Sequence, residues 1–185
     1  MADMAVKQAI RDLNTTTPWD SHSQMLECVM ILQDTHDVKT FCFQTTDNSW
    51  FRYLPGQFIT IELEIDGKPV LRTYTLSSSP SRPLSISITV KANKDGYASQ
   101  WLHDNLKEGD KIKAHGPAGL FTLHNHLADK YLFISGGAGI TPTLSMTRWL
   151  FDQGTHTDVH FIHCARTPSD IIARRELESM SARVS

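Results

Sequence analysis

The stretch from Tyr131 to Pro142 restricts the fold more than any other. Tyr131-Leu132-Phe133-Ile134 is a short, unbroken apolar run; Gly136-Gly137-Ala138-Gly139 follows, and then Thr141-Pro142. An apolar run without alternation fits a parallel strand covered on both faces. The glycines permit a tight turn, Thr141 can cap a helix, and Pro142 suits its first position. Met146, Trp149 and Leu150 give that helix one apolar face. A strand at Val159 to Cys164 comes next, and Thr167-Pro168-Ser169-Asp170 opens another helix. Strand–helix–strand–helix is the beginning of a doubly wound α/β domain, assigned to residues 127–185. Two strands are too few to enclose such a sheet, and a third is due where the chain stops. The sequence therefore reads as truncated at its C-terminus.

Residues 21–126 follow a different grammar. Met25 to Leu32 and Thr40 to Thr45 are rich in β-favouring residues, and Pro55-Gly56 marks a turn. From Phe58 to Ile65, Ile59, Ile61, Leu63 and Ile65 face one way and Thr60, Glu62 and Glu64 the other. Asp66-Gly67 is a hairpin signal leading to a strand with Arg72 and Tyr74. Ser85 to Lys91 alternates again, with Ile86, Ile88 and Val90 on the buried side. Short strands between turn signals argue for an antiparallel barrel or sandwich, interrupted by one helix at about Ala98 to Leu106. Gly116 to Phe121 reads as a tight turn. Residues 1–20, with a Thr run before Pro18, read as a flexible tail.

Composition excludes several classes. A formal charge of -2 gives no global pull toward nucleic acid or an anionic membrane. No apolar run approaches membrane-spanning length, and no signal-peptide stretch opens the chain. The three cysteines, Cys28, Cys42 and Cys164, form neither a C-x-x-C pair nor iron–sulfur spacing, so they read as reduced, mostly buried thiols of a cytoplasmic protein. His124-x-His126 and His160-x-x-His163 lack third and fourth ligands, so no metal site is expected. Trp101 and Trp149 read as core residues.

Two stretches carry chemistry. In Arg72-Thr73-Tyr74-Thr75, Arg72 and Tyr74 share one strand face. A guanidinium offers paired donors to phosphate, a tyrosine ring can stack on a flat heterocycle, and Thr75 can hydrogen-bond a ring nitrogen. An ordinary strand with an exposed Arg is the plain alternative. Gly136 to Gly139, before a helix, offers free N–H groups to a dinucleotide's phosphates. Arg166, past the second strand, stands where a dinucleotide's adenosine end lies, or is simply a surface Arg. Gly96 allows close backbone approach to a ligand, and the N–H groups near Ser99 suit a pyrophosphate. A plain strand–loop–helix accounts for them equally well.

Together these residues resemble the ferredoxin–NADP reductase superfamily. Arg72-Thr73-Tyr74-Thr75 matches its R-x-Y-[ST] flavin motif, and Gly136 to Pro142 its G-G-x-G-x-[TS]-P nucleotide motif. Tyr74 to Pro80, Ser99 to Leu102 and Arg166 to Asp170 are similar to hybrid-cluster-protein reductases and to reductase components of Rieske-type betaine demethylases. The resemblance implies a six-stranded antiparallel Greek-key β-barrel binding FAD, then a partial NAD(P)-binding α/β domain. Arg72 would hold the flavin phosphate, with Tyr74 and Thr75 at the isoalloxazine and Thr73 among the cofactor-binding residues. Val90 and Lys91 would flank the flavin, and Gly96 and Ser99 would approach its pyrophosphate. Gly136, Gly137, Gly139, Thr141 and Pro142 would receive NAD(P)H, with Arg166 near its ribose. NADH is favoured, although Arg166 could pair with a 2′-phosphate. The implied activity carries electrons from NAD(P)H through FAD to a [2Fe-2S] centre, expected only beyond Ser185. A Rieske-type oxygenase or hybrid-cluster protein would then receive them. No catalytic side chain is required, because the cofactors carry the redox chemistry. The alternative is a non-catalytic flavin-binding or interaction module.

Overall fold

The structure, a computed structural model, describes residues 18–19, 22–47, 49–154 and 157–183. The expected tail Met1 to Thr17 lies outside the described residues. Trp19, within the span assigned to that tail, is instead fully buried, edge-on to Phe51 in the barrel core.

Six strands form one antiparallel sheet: β1 (Gln24–Thr35), β2 (Val38–Thr45), β3 (Phe58–Ile65), β4 (Lys68–Thr75), β5 (Ile86–Lys91) and β6 (Lys111–Ala118). Their order is β4-β3-β6-β1-β2-β5. β3 follows its period-two pattern, burying Ile59, Ile61, Leu63 and Ile65. Each such side chain contributes about 1.5–3 kcal/mol when fully buried. The β3–β4 turn is tight because Asp66 and Gly67 both take positive φ, 53° and 69°. The helix α1 (Tyr97–Asn105) adds Ala98 and Leu102, and the next residue Leu106, to the barrel core. Trp101 packs against that core, as expected.

β6 is the strand that sequence patterning does not locate. Its inward residues are only Ile112 and Ala114, between Lys111, Lys113 and His115, yet it lies between β3 and β1. It also absorbs Gly116 to Ala118, half of the expected tight turn. The barrel itself stops short of closure. Among the described residues, the edge strands β4 and β5 share no ladder; their backbones meet at one Leu76–Ile88 bridge and at Ser77 N–H donating to the Ser87 carbonyl, 2.8 Å.

The α/β part pairs β7 (Lys130–Gly136) in parallel with β8 (Asp158–Cys164). A 3₁₀ turn, Gly137–Ile140, runs directly into α2 (Thr141–Gln153), which Gly154 ends with φ 62°. Thr141 is therefore the first helical residue and not the cap; Ile140 holds the cap position, because the preceding turn is already helical. Thr167 to Asp170 forms its own capped 3₁₀ turn, and the helix α3 (Arg174–Ser181) starts only later. Phe133, Met146, Leu150 and Leu123 form a core joined by Trp149, Val159 and Phe161. Leu132, Ile134 and Ile162 are 60%, 65% and 49% exposed, because the described helices cover one face only of a sheet of two strands, too few to be enclosed. No described helix is long and apolar enough to cross a membrane.

The cysteines differ in environment. Cys28 is buried, and burial pushes its thiol up to about 11; Cys42 is half-buried, and Cys164 is exposed, against the expectation of mostly buried thiols. Alkylation depends on the thiolate. Native-state labelling at pH 8, read by mass spectrometry, is expected to modify Cys164 and spare Cys28; equal labelling of both would contradict this environment.

Candidate functional site

The open seam between β4 and β5 is the first element of the site. An unpaired strand edge leaves backbone donors and acceptors free for another molecule. Arg72, Thr73, Tyr74 and Thr75 form the β4 lip. Arg72 is exposed, its guanidinium donating to the Leu71 carbonyl at 2.7 Å. Thr73 meets Thr60 across the ladder at 3.3 Å, hydroxyl to hydroxyl. Tyr74 is half-buried against the barrel core; burial pushes its phenol up, while the Arg72 charge pulls the other way. Thr75 ends β4, half-buried. On the β5 lip Val90 is buried inside the barrel, and its carbonyl accepts a hydrogen bond from His103 Nε2 at 2.8 Å. Its side chain thus faces away from the seam, because alternation points it into the core. Lys91 turns the other way, its Nζ 3.1 Å from Asp37.

The loop after β5 reads differently in three dimensions. A Cβ on Gly96 would stand 2.3 Å from Ser99 Oγ and 2.8 Å from Asn93 Cβ. Close packing within the loop accounts for glycine there. The Ser99 hydroxyl donates to the Gly96 carbonyl at 3.2 Å and accepts from Asn93 N–H at 3.3 Å. Only the backbone N–H groups of this helix start are left for a ligand.

The glycine turn is the second element. Gly137 takes φ 51°, and nothing lies within 4 Å of where a Cβ on Gly137 or Gly139 would stand. Here glycine keeps space open above the 3₁₀ turn, whose first N–H groups have no acceptor within the turn, whereas the Thr141 N–H already donates to the Ala138 carbonyl. That open cradle fits a phosphate-bearing dinucleotide. Gly136 ends β7 beside the Cys164 carbonyl, 3.7 Å from its would-be Cβ. Thr141 is buried, its hydroxyl donating to the Ala138 carbonyl at 3.3 Å, and Pro142 occupies the first turn of α2.

Tertiary packing brings the two elements together. Ile140 and Leu144 pack on Val38 of β2 with Ile172, pinning the turn to the barrel. Lys91, Gly137 and Arg166 then line one cavity of about 270 Å³, with Cys164, Asp170 and Ile172. Arg72 is not part of its lining. A larger hollow of about 430 Å³ lies between Glu62, Glu64, Trp101, Lys111 and Lys113 and holds none of the residues expected from sequence. Of its charges, Lys113 pairs with Glu62 at 3.3 Å. The glycine cradle opens onto the smaller cavity.

Sequence reading missed the residues that fix the parts relative to each other. From α2, Ser145 Oγ donates to the Ser78 carbonyl and Arg148 to the Ser77 carbonyl, both at 2.6 Å. Arg148 also makes a two-pronged pair with Glu176 of α3, at 2.8 and 2.6 Å. Ser77 and Ser78 follow β4 closely, so this clamp ties the Arg72 strand to the helix behind the glycine turn. Arg148, mostly buried, carries most of this restraint, since hydrogen bonds to charged groups contribute about 1.5–3 kcal/mol each. Among the described residues, His36, Asp37 and Asp170 form a group with metal-ligand atoms within 4.8 Å of one another. Lys91 and Arg166 stand on the same carboxylates, so side-chain cations already balance that charge.

Comparison with known proteins gives the family and the fold. The oxidoreductase NAD-binding domain profile matches residues 133–185. The glycine betaine monooxygenase reductase subunit of Pseudomonas aeruginosa is 54% identical over 170 residues, which are 92% of this chain and 46% of that protein. NADH oxidoreductase HCR of Escherichia coli is 34% identical, covering 85% of this chain and 48% of its own length. The chain thus spans just under half the length of these relatives. Among solved structures, the flavohem-like FAD/NAD-binding domain of nitric oxide dioxygenase from Vibrio cholerae superposes with a TM-score of 0.80 at 25% identity, covering 88% of this chain and 71% of that one. The oxidoreductase FAD-binding domain profile matches residues 28–123, just over half of the chain and all six strands of the open barrel apart from the first residues of β1, and the chain belongs to that family.

Proposed function

We propose that this chain is the flavin-holding and nucleotide-seating part of an NAD(P)H-dependent reductase that passes electrons through FAD to an iron–sulfur centre. The partner is an oxygenase of the Rieske type or a hybrid-cluster protein. The observation that carries the reading is the shared cavity: Lys91 at the seam and Gly137 at the turn face one space. The two named relatives, a monooxygenase reductase subunit and an NADH oxidoreductase, support the same reading. In it, residues 21–126 hold the flavin and residues 127–185 seat the nucleotide. Arg72 neutralises the flavin phosphate, Tyr74 and Thr75 orient the ring, and the N–H groups of Tyr97 to Ser99, just past Gly96, face its pyrophosphate. Gly137 and Gly139 admit the nucleotide phosphates, and the Arg148 clamp keeps the two seats at a fixed separation. FAD held by these residues would supply the redox chemistry, two-electron exchange with a nicotinamide and one-electron exchange with an iron–sulfur centre.

Purified protein tests this directly. It is expected to be yellow and to bleach anaerobically on addition of NADH. Arg72→Ala is expected to weaken flavin retention by about 1.5–3 kcal/mol, the value of a charge-assisted hydrogen bond. The fold should survive, because Arg72 is exposed and, among the described residues, its guanidinium bonds its neighbour's carbonyl. A yellow protein that NADH leaves unbleached would point to a flavin-holding module without turnover. A folded, colourless protein would defeat both.

A further inference from the structure

The seam between β4 and β5 is fixed at both ends. At one end Leu76 and Ile88 meet in an antiparallel bridge. From there the β4 lip runs back through Thr75 and Arg72 to Lys68, while the β5 lip runs on through Lys91 into the loop before α1. At the other end Tyr97, the first residue of α1, reaches the β3–β4 hairpin. Its hydroxyl donates to the Asp66 carboxylate at 2.9 Å and lies 3.4 Å from the Ile65 carbonyl oxygen. The seam is therefore a slot, closed at one end by a backbone bridge and at the other by a tethered phenol.

This slot is longer than a mononucleotide needs. A strand advances about 3.3 Å per residue, so Arg72 stands about 10 Å along the lip from Thr75, and Lys68 about 13 Å further. A flavin ring at Tyr74 and Thr75 with its phosphate at Arg72 uses only the first of these stretches. FMN ends at that phosphate, whereas FAD continues through a second phosphate to an adenosine. The N–H groups of Tyr97, Ala98 and Ser99 have no intrahelical acceptor, the first helical bond being Gln100 N–H to the Gly96 carbonyl at 2.9 Å. Donors for the second phosphate and the Tyr97 ring thus come from a single helical turn, beyond Arg72.

Tyr97 has the properties of a platform for a base. It is 49% exposed, so ring surface is open to a ligand. Its tether, Asp66, sits in a turn of two positive-φ residues, so the ring is held in advance and loses little freedom on binding. The hydrogen bond to Asp66 also pushes the phenol above its ordinary pKa and keeps it neutral. Aromatic rings stack on any base through its π-face. We propose that the Tyr97 ring stacks on the adenine of FAD and is the residue that makes this seat select FAD over FMN. The inference rests on the flavin seat proposed above and names the part of the ligand that the lower slot takes. A plain tie between α1 and the hairpin is the competing role, and it needs the hydroxyl rather than the ring.

The test is titration of the purified chain, stripped of flavin, with FAD and with FMN, followed by flavin fluorescence. Parent, Tyr97→Leu and Tyr97→Phe are compared. The parent is expected to bind FAD more tightly than FMN. Tyr97→Leu should weaken FAD binding at least about fivefold, the low end for loss of a base–aromatic stack. FMN binding should stay at the parent level, because Arg72 and the backbone N–H groups remain in place. Tyr97→Phe keeps the ring and loses the tether, so it should retain most of the FAD affinity. A merely structural tie would fail in the Phe variant as in the Leu variant and would weaken both flavins together; that result overturns the proposal. So does a parent that holds FMN as tightly as FAD, or parent-like FAD affinity in Tyr97→Leu. If the parent binds neither flavin, the flavin seat itself is wrong and the platform falls with it, a failure distinct from that of Tyr97 alone. Tyr97→Ser gives the same readout should the Leu variant not fold.

Discussion

Gly137→Val is expected to abolish nicotinamide-nucleotide binding while leaving flavin bound. Gly137 has φ 51°, a left-handed conformation that costs a residue with a Cβ about 1–2 kcal/mol, and a β-branched one at least that. Nothing in the protein stands within 4 Å of the added Cβ, so the fold tolerates it. The space it would fill is the open mouth of the cradle, where phosphate oxygens would reach the turn's N–H groups. Losing one charge-assisted hydrogen bond there removes about 1.5–3 kcal/mol, and a side chain that blocks the approach loses several. The expected weakening is therefore at least about a hundredfold. Titration with NADH, with flavin absorbance recorded in parallel, reads both arms. Parent-like NADH affinity in this variant would remove the glycine turn from the nucleotide seat.

Gly56→Ala is expected to produce the largest loss of stability among single changes at glycine. Gly56, in the turn before β3, takes φ 99°. A Cβ there would stand 2.1 Å from the Phe121 carbonyl oxygen and 2.6 Å from Met146 Cε. The methionine can swing aside, but the carbonyl is backbone and has to be pushed away with its loop. Backbone strain and overpacking together predict a loss of about 3–5 kcal/mol. Urea unfolding, followed by far-UV circular dichroism, should show a large drop in midpoint. An unchanged midpoint would mean that the barrel and α2 do not meet at this turn. Gly67 provides the contrast, because an added Cβ there would meet nothing within 4 Å.

The two glycines illustrate different legibility. Gly137 was readable because its setting is local: an apolar strand before it, Thr-Pro after it. Gly56 read only as part of a turn, since Phe121 and Met146 reach it from distant parts of the chain. The strands divide in the same way. β3 and β5 announce themselves by Ile, Leu or Val at every second position, whereas β6 reads as solvated polar chain with Ile112 and Ala114 its only inward apolar residues. Thr141 looked like a cap because Thr-Pro is a common helix start; the 3₁₀ turn ahead of it moved the boundary.

Patterning by itself determined the barrel-then-α/β order, the Arg72 strand and the glycine turn, because side-chain alternation and turn chemistry act between near neighbours. Folding alone decided that β4 and β5 part after one bridge, that Arg148 grips the Ser77–Ser78 segment, and that Asp37 meets Lys91 and Arg166. Each of these joins residues far apart in the chain, and an isolated charge or hydroxyl in a sequence carries no mark of the partner that packing will bring to it.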